Sequence, residues 1–379
     1  MRKSFKYRIY PSKKQIELIN NQLFEACKLY NCALEHRIWQ YKGAGKSISY
    51  KEQSSELKDI RKDGFCKLEN FSACQDVLRR LDKTFKAFFT RLKKGSKPGF
   101  PRFKPARRYD TLTFPSYGDG CKIKGKKIYM QGIGDVYMRL HREIGGEIKT
   151  VSVTRKNEKY YIIFSCVVEK NILPKTGSII GIDMGLESLM ADSNGNFIDN
   201  PRWLRVSQNK LRVLQRSVAR KKKGSEERKK SIKILSKFHK KVSNQRLDFL
   251  HKLSKQIVQD NDIICIEDLN IKGMAAGMLA KSVNDAAWGM FFQLLSYKAE
   301  NADKEVRKVN PRGTSQRCNK CKTEVKKDLS VRWHECPSCG ESVHRDVNSA
   351  KEILWLGTNL DALTWSNSSC VAPEAVCFS

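Results

Sequence analysis

Ser178-Ile179-Ile180-Gly181-Ile182-Asp183 is a short apolar run closed by a carboxylate. Ile263-Ile264-Cys265-Ile266-Glu267 repeats the pattern. Both read as buried strands, and carboxylates at the ends of such strands can converge on divalent metal ions. A third carboxylate, Asp346, opens a helical pattern in His344-Arg345-Asp346-Val347-Asn348-Ser349-Ala350. Between the second and third stands Cys318-x2-Cys321-x14-Cys336-x2-Cys339. That order along the second half of the chain governs the reading of the rest.

Two C-x2-C pairs at this spacing supply four thiolates for tetrahedral zinc. Pro337 and Gly340 suit the tight turns of such knuckles. A redox pair is the poorer reading, because two pairs occur together. A closed four-thiolate site has no open position for water, so the expected zinc is structural. His334 lies near the second knuckle and is not read as a ligand. The other nine of the 13 cysteines are scattered singly, often at apolar positions such as Cys74, Cys166 and Cys265. They read as small buried hydrophobes in a reducing compartment, without a disulfide framework.

Each carboxylate alone is more often a strand end or a helix cap than a catalyst; Asp346 could be an N-cap. The order changes the odds. An Asp at the end of a first strand, a hairpin through Ser193-Asn194-Gly195-Asn196, a Glu at the end of a later strand and an Asp on a final helix make the layout of ribonuclease-H-like nucleases. Two Mg²⁺ ions about 4 Å apart would activate water and stabilise the leaving oxygen of an in-line displacement. Three carboxylates partly neutralise such ions and leave room for a substrate phosphate. A kinase reading of His344-Arg345-Asp346 fails, because Asn348 follows too soon and no glycine-rich loop exists. Asp192, Asp199, Asp268 and Asp285 are nearby decoys; Asp268, next to Glu267 on a strand, would point to the other face.

The bulk numbers agree. A chain of 379 residues accommodates two or three domains. Its 73 Lys and Arg against 40 Asp and Glu give a net charge of +33, which points to nucleic acid as partner. No run approaches the length of a membrane span, and the basic helices lack the wide apolar face of a membrane-surface helix. The first residues, Met1 to Lys14, show no apolar signal core. A cytoplasmic, nucleoid-associated protein without membrane contact is expected.

Phe5, Tyr7 and Ile9 alternate with charge over 4–10, a half-buried strand. Ser12 with Gln15 reads as a capping box, opening a helix to about 42. Residues 43–47 form a loop rather than a phosphate cradle, because Gln40 stands where the first glycine is required. A second helix over about 70–94 carries Phe71, Cys74, Leu78, Leu81, Phe85, Phe88 and Leu92 as a core stripe. Gln75, Arg79 and Lys83 on its polar side can lie on a phosphate backbone. The loop 93–105, with Arg102 and Lys104, is basic with interleaved aromatics.

Short strands follow at 111–114, 127–130, 135–137, 148–153 and 160–168, a small antiparallel barrel or sandwich. Strand 4–10 joins it, which makes the helices an insertion. After a linker at 170–177 come two basic helices, 203–223 and 226–259, the second bearing Arg246, His251 and Lys252. A helix at 284–301, a strand at 305–309 and a frayed tail from 357 complete the pattern.

These segments resemble the TnpB family of transposon-associated RNA-guided DNA endonucleases, relatives of the compact type V CRISPR effectors. The resemblance rests on Lys6-Tyr7-Arg8-Ile9-Tyr10-Pro11, Gly99-Phe100-Pro101-Arg102-Phe103-Lys104, Gly181-Ile182-Asp183-Met184-Gly185, residues 239–252, Ile266-Glu267-Asp268-Leu269-Asn270 and the stretch from Pro311 to Asn348. It covers nearly the full length. It implies a multidomain α+β chain: a helical recognition domain (11–108) inserted in a small β-barrel wedge domain (1–10 and 109–175), then an RNase H-like RuvC α/β nuclease domain (176–379) with a zinc ribbon inserted at 311–342. It places Asp183, Glu267 and Asp346 at the catalytic positions with two Mg²⁺ ions, and Zn²⁺ on the four cysteines. It implies a guide RNA from the transposon end, a double-stranded DNA target beside a short motif, and a monomer. A nuclease-inactive RNA-guided regulator and a guide-independent nuclease are the rival readings.

Overall fold

The computed structural model describes residues 1–277, 280–328 and 330–359. The chain divides into two compact units, Met1–Glu169 and Lys170–Ser379. Most of the tail expected from 357 lies outside the described residues.

The first unit opens with strand β1 (Arg2–Tyr10), whose Phe5, Tyr7 and Ile9 are buried between exposed neighbours. Helix α1 (Lys13–Ala44) starts where the capping box predicts. Ser12 Oγ accepts from Gln15 N at 3.3 Å, and Gln15 Oε1 accepts from Ser12 N at 3.0 Å. Gly45, at φ +63, ends the helix. A helix without sequence forecast, α2 (Tyr50–Lys62), follows under a second capping box of Ser49 and Glu52. It buries only Gln53 and Leu57, so it lacks the apolar stripe that announces a helix. Helix α3 (Phe71–Lys93) is capped by Asn70 and buries Ala73, Cys74, Val77, Leu78 and Leu81. The expected stripe leaves the core towards its C-terminus, where Phe85 and Phe88 are half-buried and Leu92 is exposed.

Strands β2 (Thr111–Phe114), β3 (Cys121–Lys124), β4 (Lys127–Met130), β5 (Gly134–Arg139), β6 (Glu147–Lys156) and β7 (Lys159–Val167) complete this unit. With β1 they form one antiparallel sheet, ordered β2-β6-β7-β1-β5-β4-β3. β1 sits between β7 and β5, so the helices lie between the first strand and the rest of the sheet in chain order. Where a small antiparallel barrel or sandwich is expected, the sheet is a half-barrel: β2 and β3 are its edges, and no ladder joins them among the described residues. β3 escapes a sequence reading because the alternation over Cys121-Lys122-Ile123-Lys124 is weak and only Cys121 is fully buried. Tyr7, Phe114 and Phe164 from the sheet share one core with Leu23, Tyr30, Leu34, Leu78 and Leu81 from the helices.

The second unit holds strands β8 (Ile179–Met184), β9 (Ser188–Asp192) and β10 (Phe197–Asp199), then helices α4 (Trp203–Ala219) and α5 (Glu226–Asp260). Strand β11 (Ile263–Glu267), helices α6 (Ile271–Met274), α7 (Ala280–Ala286) and α8 (Trp288–Ala302) and strand β12 (Glu305–Val309) follow. Strands β13 (Trp333–Glu335) and β14 (Ser342–His344) form a separate ribbon, and α9 (Arg345–Thr358) is the last helix described. The sheet order is β10-β9-β8-β11-β12, with β11 parallel to both neighbours and β9 antiparallel to β8 and β10. The single helix expected at 284–301 is broken. Ala287 takes the left-handed conformation at φ +55 and splits α7 from α8, which starts with the buried Trp288.

Alternation along β8 and β11 assigns their two faces. Ile180, Ile182, Ile264 and Ile266 join the core with Leu250, Phe291 and Leu295 of α5 and α8. Gly181 and Cys265 take the opposite face, against α9. A Cβ at Gly181 would stand 2.1 Å from Ala350 O, and one at Gly357 would stand 2.2 Å from Cys265 Sγ. These two glycines let α9 seat directly on the strands. Among the described residues no helix is long and apolar enough to cross a membrane.

Candidate active site and metal centre

Asp183 lies two residues beyond Gly181, on the face of β8 that α9 covers. Parallel pairing sets Ile266 opposite Ile182, so Glu267 continues the register beside Asp183. Asp346 stands in the first turn of α9, whose N-terminus carries a partial positive charge. Asp346 is not the N-cap. His344 is, and its Nδ1 accepts from Asp346 N at 3.3 Å. Thus a strand end, a neighbouring strand end and a helix start bring the three carboxylates together.

Their proximity has an electrostatic consequence. Burial, and then the charges of Glu267 and Asp346, push the Asp183 carboxyl from its ordinary 3.8 up to about 8. Arg345 and the Met184 backbone N–H oppose the rise. Burial also raises Glu267, while Thr314 Oγ1 donates to Glu267 Oε1 at 2.5 Å and holds it down. Thr314 is itself buried and was given no role from sequence. Three oxygen donors short of positive charge are a set suited to hard cations.

The rival carboxylates have other work. Asp192 shapes the β9–β10 turn, accepting from Asn194 N at 2.9 Å and Asn196 N at 2.8 Å. Asp268 pairs with Lys308 at 2.8 Å. Asp285 accepts from Leu204 N at 3.0 Å at the start of α4 and from Arg246 Nη2 at 2.8 Å. Asp199 is exposed on the edge strand.

The four cysteines meet at a second centre, with ligand atoms all within 4.8 Å of one another. Cys318 and Cys339 are 3.7 Å apart at sulfur, and Cys321 and Cys336 are 3.5 Å apart. Tetrahedral zinc with bonds near 2.3 Å requires sulfurs about 3.8 Å apart, so the cluster fits. The knuckles share one design. Lys322 N donates to Cys318 O at 3.0 Å and Gly340 N to Cys336 O at 2.9 Å. Lys322 and Gly340 both take positive φ there, at 64 and 72°. The Thr323 hydroxyl and N–H draw the Cys321 thiol down to about 6, towards the thiolate that a metal needs. His334 is buried with Lys327 Nζ on its Nδ1 and is no part of the cluster. Elsewhere Cys66 and Cys74 are not isolated as expected: their sulfurs lie 4.0 Å apart.

The ribbon is keyed to α9 by two buried side chains that sequence reasoning passed over. Asn348 Oδ1 accepts from Asn319 N at 3.0 Å, and its Nδ2 donates to Arg317 O at 2.7 Å. Glu352, fully buried, pairs with Lys322 Nζ at 2.6 Å. Asn348 and Glu352 are four residues apart, on one face of α9 with the buried Val347, Ser349 and Ile353 close by, a signal for a polar contact there.

The residues proposed for nucleic acid have varied surroundings. Lys83 and Arg102 are exposed, and Gln75 is half-buried. Arg79 lies 5.5 Å over the Tyr50 ring. Lys104 sits 4.1 Å over Tyr30, and Arg246 is held by Asp285. His251 is half-buried, and its carbonyl accepts from Lys298. Lys252 pairs with Asp248 at 2.8 Å on the surface.

The chain also matches known proteins. Residues 164–277 match a family model described as "Probable transposase", residues 288–353 one described as "Cas12f1-like, TNB domain", and residues 1–46 a "Helix-turn-helix domain". A Streptomyces pristinaespiralis protein named "Putative RNA-guided DNA endonuclease" is 31% identical over 94% of this chain and 90% of its own length. The chain belongs to the TnpB family. An Escherichia coli K12 relative in that group, "Putative RNA-guided DNA endonuclease InsQ", is 28% identical over 93% of this chain and 92% of its own. The TnpB-family fold extends to a solved Cas12f1-sgRNA-target DNA complex, at TM-score 0.59 and 13% identity over 93% of this chain and 98% of that one.

Proposed function

We propose that this TnpB-family chain is an RNA-guided DNA endonuclease that hydrolyses phosphodiester bonds with divalent metal ions. The meeting of Asp183, Glu267 and Asp346 carries the reading. Relatives named as RNA-guided DNA endonucleases support it, as does the net charge of +33. Asp183, Glu267 and Asp346 would hold two Mg²⁺ ions, and Cys318, Cys321, Cys336 and Cys339 one structural Zn²⁺. Bound Mg²⁺ supplies Lewis acidity and a water of lowered pKa.

The protein's own part is positioning. Thr314 orients one Glu267 oxygen. His344 caps α9 so that its first turn presents Asp346. Gly181 keeps that helix close to Asp183. In this reading residues 11–108 act as recognition domain, 1–10 and 109–175 as wedge domain, and 176–379 as RuvC domain with the ribbon at 311–342. The guide RNA reads the target by base pairing, and the protein reads shape and a short flanking motif. Gln75, Arg79, Lys83, Arg102, Lys104, Arg246, His251 and Lys252 are the first residues to test for backbone contacts.

The test is to purify the protein with co-expressed nucleic acid from its native locus and sequence what it retains. A single RNA species with a variable end supports the reading and supplies a guide for a programmed duplex. Cleavage must follow that guide and fall roughly 10³-fold in Asp183→Asn with the RNA still bound. Cleavage that ignores the guide identifies a guide-independent nuclease. Guided binding without cleavage identifies a regulator.

A further inference from the structure

The C-terminal half of α3 and the loop after it form a surface that neither metal site explains. Between Lys83 and Arg108 stand ten basic residues, five phenylalanines and no acidic residue. Phe89 is 50% exposed, Phe100 50% and Phe103 54%. Four rings gather there. Phe100 meets Phe85 edge-on at 5.8 Å and Phe88 at 5.4 Å, and Phe88 meets Phe89 at 5.2 Å. Arg37, buried and paired with Asp82, lies 5.1 Å under Phe85. The cluster therefore has a fixed floor, with Phe89 and Phe100 turned partly to water.

An aromatic patch left in water marks a contact surface, and its rim selects the partner. Arg91, Lys93, Lys94, Lys97 and Arg102 are all exposed in the same stretch, and Lys86, also exposed, pairs with Asp82 at 2.9 Å. A second copy of the chain would bring the same charges and be repelled. The complementary partner is a polyanion with flat apolar faces. Single-stranded nucleic acid has both, with bases to stack on rings and phosphates for the cations. A paired duplex hides its base faces.

The patch is poor in groups that read base edges: Thr84 and Thr90 turn their hydroxyls back to helix carbonyls at 2.8 Å. It is built to hold a strand whatever its sequence. A guide RNA scaffold has a fixed sequence, whereas the DNA strand displaced when a guide pairs with its target changes with every target. We propose that Phe89 and Phe100, ringed by these cations, form a stacking platform for the displaced strand of target DNA. The proposal rests on the guided-nuclease reading above.

The experiment uses the protein with its bound guide RNA, a labelled dT oligonucleotide, and a guide-matched duplex whose displaced thymines are probed with permanganate. The pair Phe89→Leu and Phe100→Leu keeps the apolar bulk and removes the aromatic faces; Phe→Tyr at both sites restores them. The Leu pair is expected to weaken dT binding roughly tenfold or more and to slow cleavage of the intact duplex. Cleavage of a pre-opened duplex should stay near wild type, and the Tyr pair should recover both losses. Equal dT affinity in wild type and the Leu pair overturns the platform. So does a wild-type dimer by light scattering that the Leu pair dissolves, which would make the patch a self-association surface. A wild-type complex that retains no defined RNA sinks the guided reading itself, a separate result read before any variant is made.

Discussion

Four thiols in the ribbon close around a point, whereas three carboxylates at the sheet end crowd one another and leave Asp183 raised to about 8. Both centres have donor sets suited to cations, but of opposite kinds. The thiol site is soft, closed and shaped by backbone hydrogen bonds within each knuckle. The carboxylate site is hard and under-neutralised, which suits ions that must also bind substrate oxygen. The cysteines fall within 22 residues of one another, and the carboxylates are spread from 183 to 346. One site is written locally; the other exists only once two parallel strands and a helix have come together.

The sharpest way to break this contrast is Asp183→Asn. It keeps the shape and removes a metal-binding charge, so a loss of about 4 kcal/mol in barrier lowering, or roughly 10³-fold in cleavage, is expected. Guide RNA retention, measured on the same preparation, should not change. A variant that cuts at wild-type rate would remove Asp183 from the site.

Cys336→Ser probes the other centre and has a smaller expected effect on cleavage. The ribbon should lose its zinc, seen as one equivalent fewer by metal analysis. Cleavage should fall on the order of 10–100-fold, the usual cost of losing outer supports of a metal site. The link is structural: the ribbon segment supplies Arg317 and Asn319 to Asn348, and Lys322 to Glu352, on the helix that carries Asp346. A zinc-free protein that cuts normally would show the two sites to be independent.

How far sequence could foresee all this follows the same division. The knuckles and the strand-ending carboxylates were legible because their patterns are local, and so was the Ser12 cap. α2 was not, because Gln53 and Leu57 alone turn inwards. The break at Ala287 was not, because a non-glycine residue at φ +55 leaves no mark in an apolar run. Asp285 could be set aside as a decoy but not given its role, because its partners are Arg246 and the start of α4, 39 and about 80 residues away. Thr314 and Asn348 acquire meaning only when Glu267 and the first knuckle arrive beside them.

Thr314→Val therefore sharpens the comparison further. It removes the donor from Glu267 with little change of volume, and hydrogen bonds to charged groups are worth about 1.5–3 kcal/mol. Cleavage should drop roughly tenfold, with the acid limb of its pH profile moved upwards, because Thr314 holds the Glu267 carboxyl down. Thr314→Ser should recover both, and zinc content should not move. An unchanged pH limb would reduce Thr314 to packing.

The last effect is on stability, and its sign separates the two centres. Without metal, folded Asp183 keeps its proton up to about pH 8, whereas in the unfolded chain it ionises near 3.8. Between those values the folded state binds more protons, so stability must fall as pH rises. Glu267, also raised, adds to the same slope. Asp262 has the opposite sign, since Lys304 and the Thr176 N–H hold its carboxyl well below the usual range, but it acts only at acid pH. Denaturation of EDTA-treated protein from pH 4 to 8 should show this decline, and Asp183→Asn should flatten it. Added Mg²⁺ should reverse it, because a cation replaces the proton that the three carboxylates otherwise share. A decline that persists unchanged in Asp183→Asn would mean that the carboxylates do not feel one another in the folded protein, and the contrast between the two centres would lose its electrostatic basis.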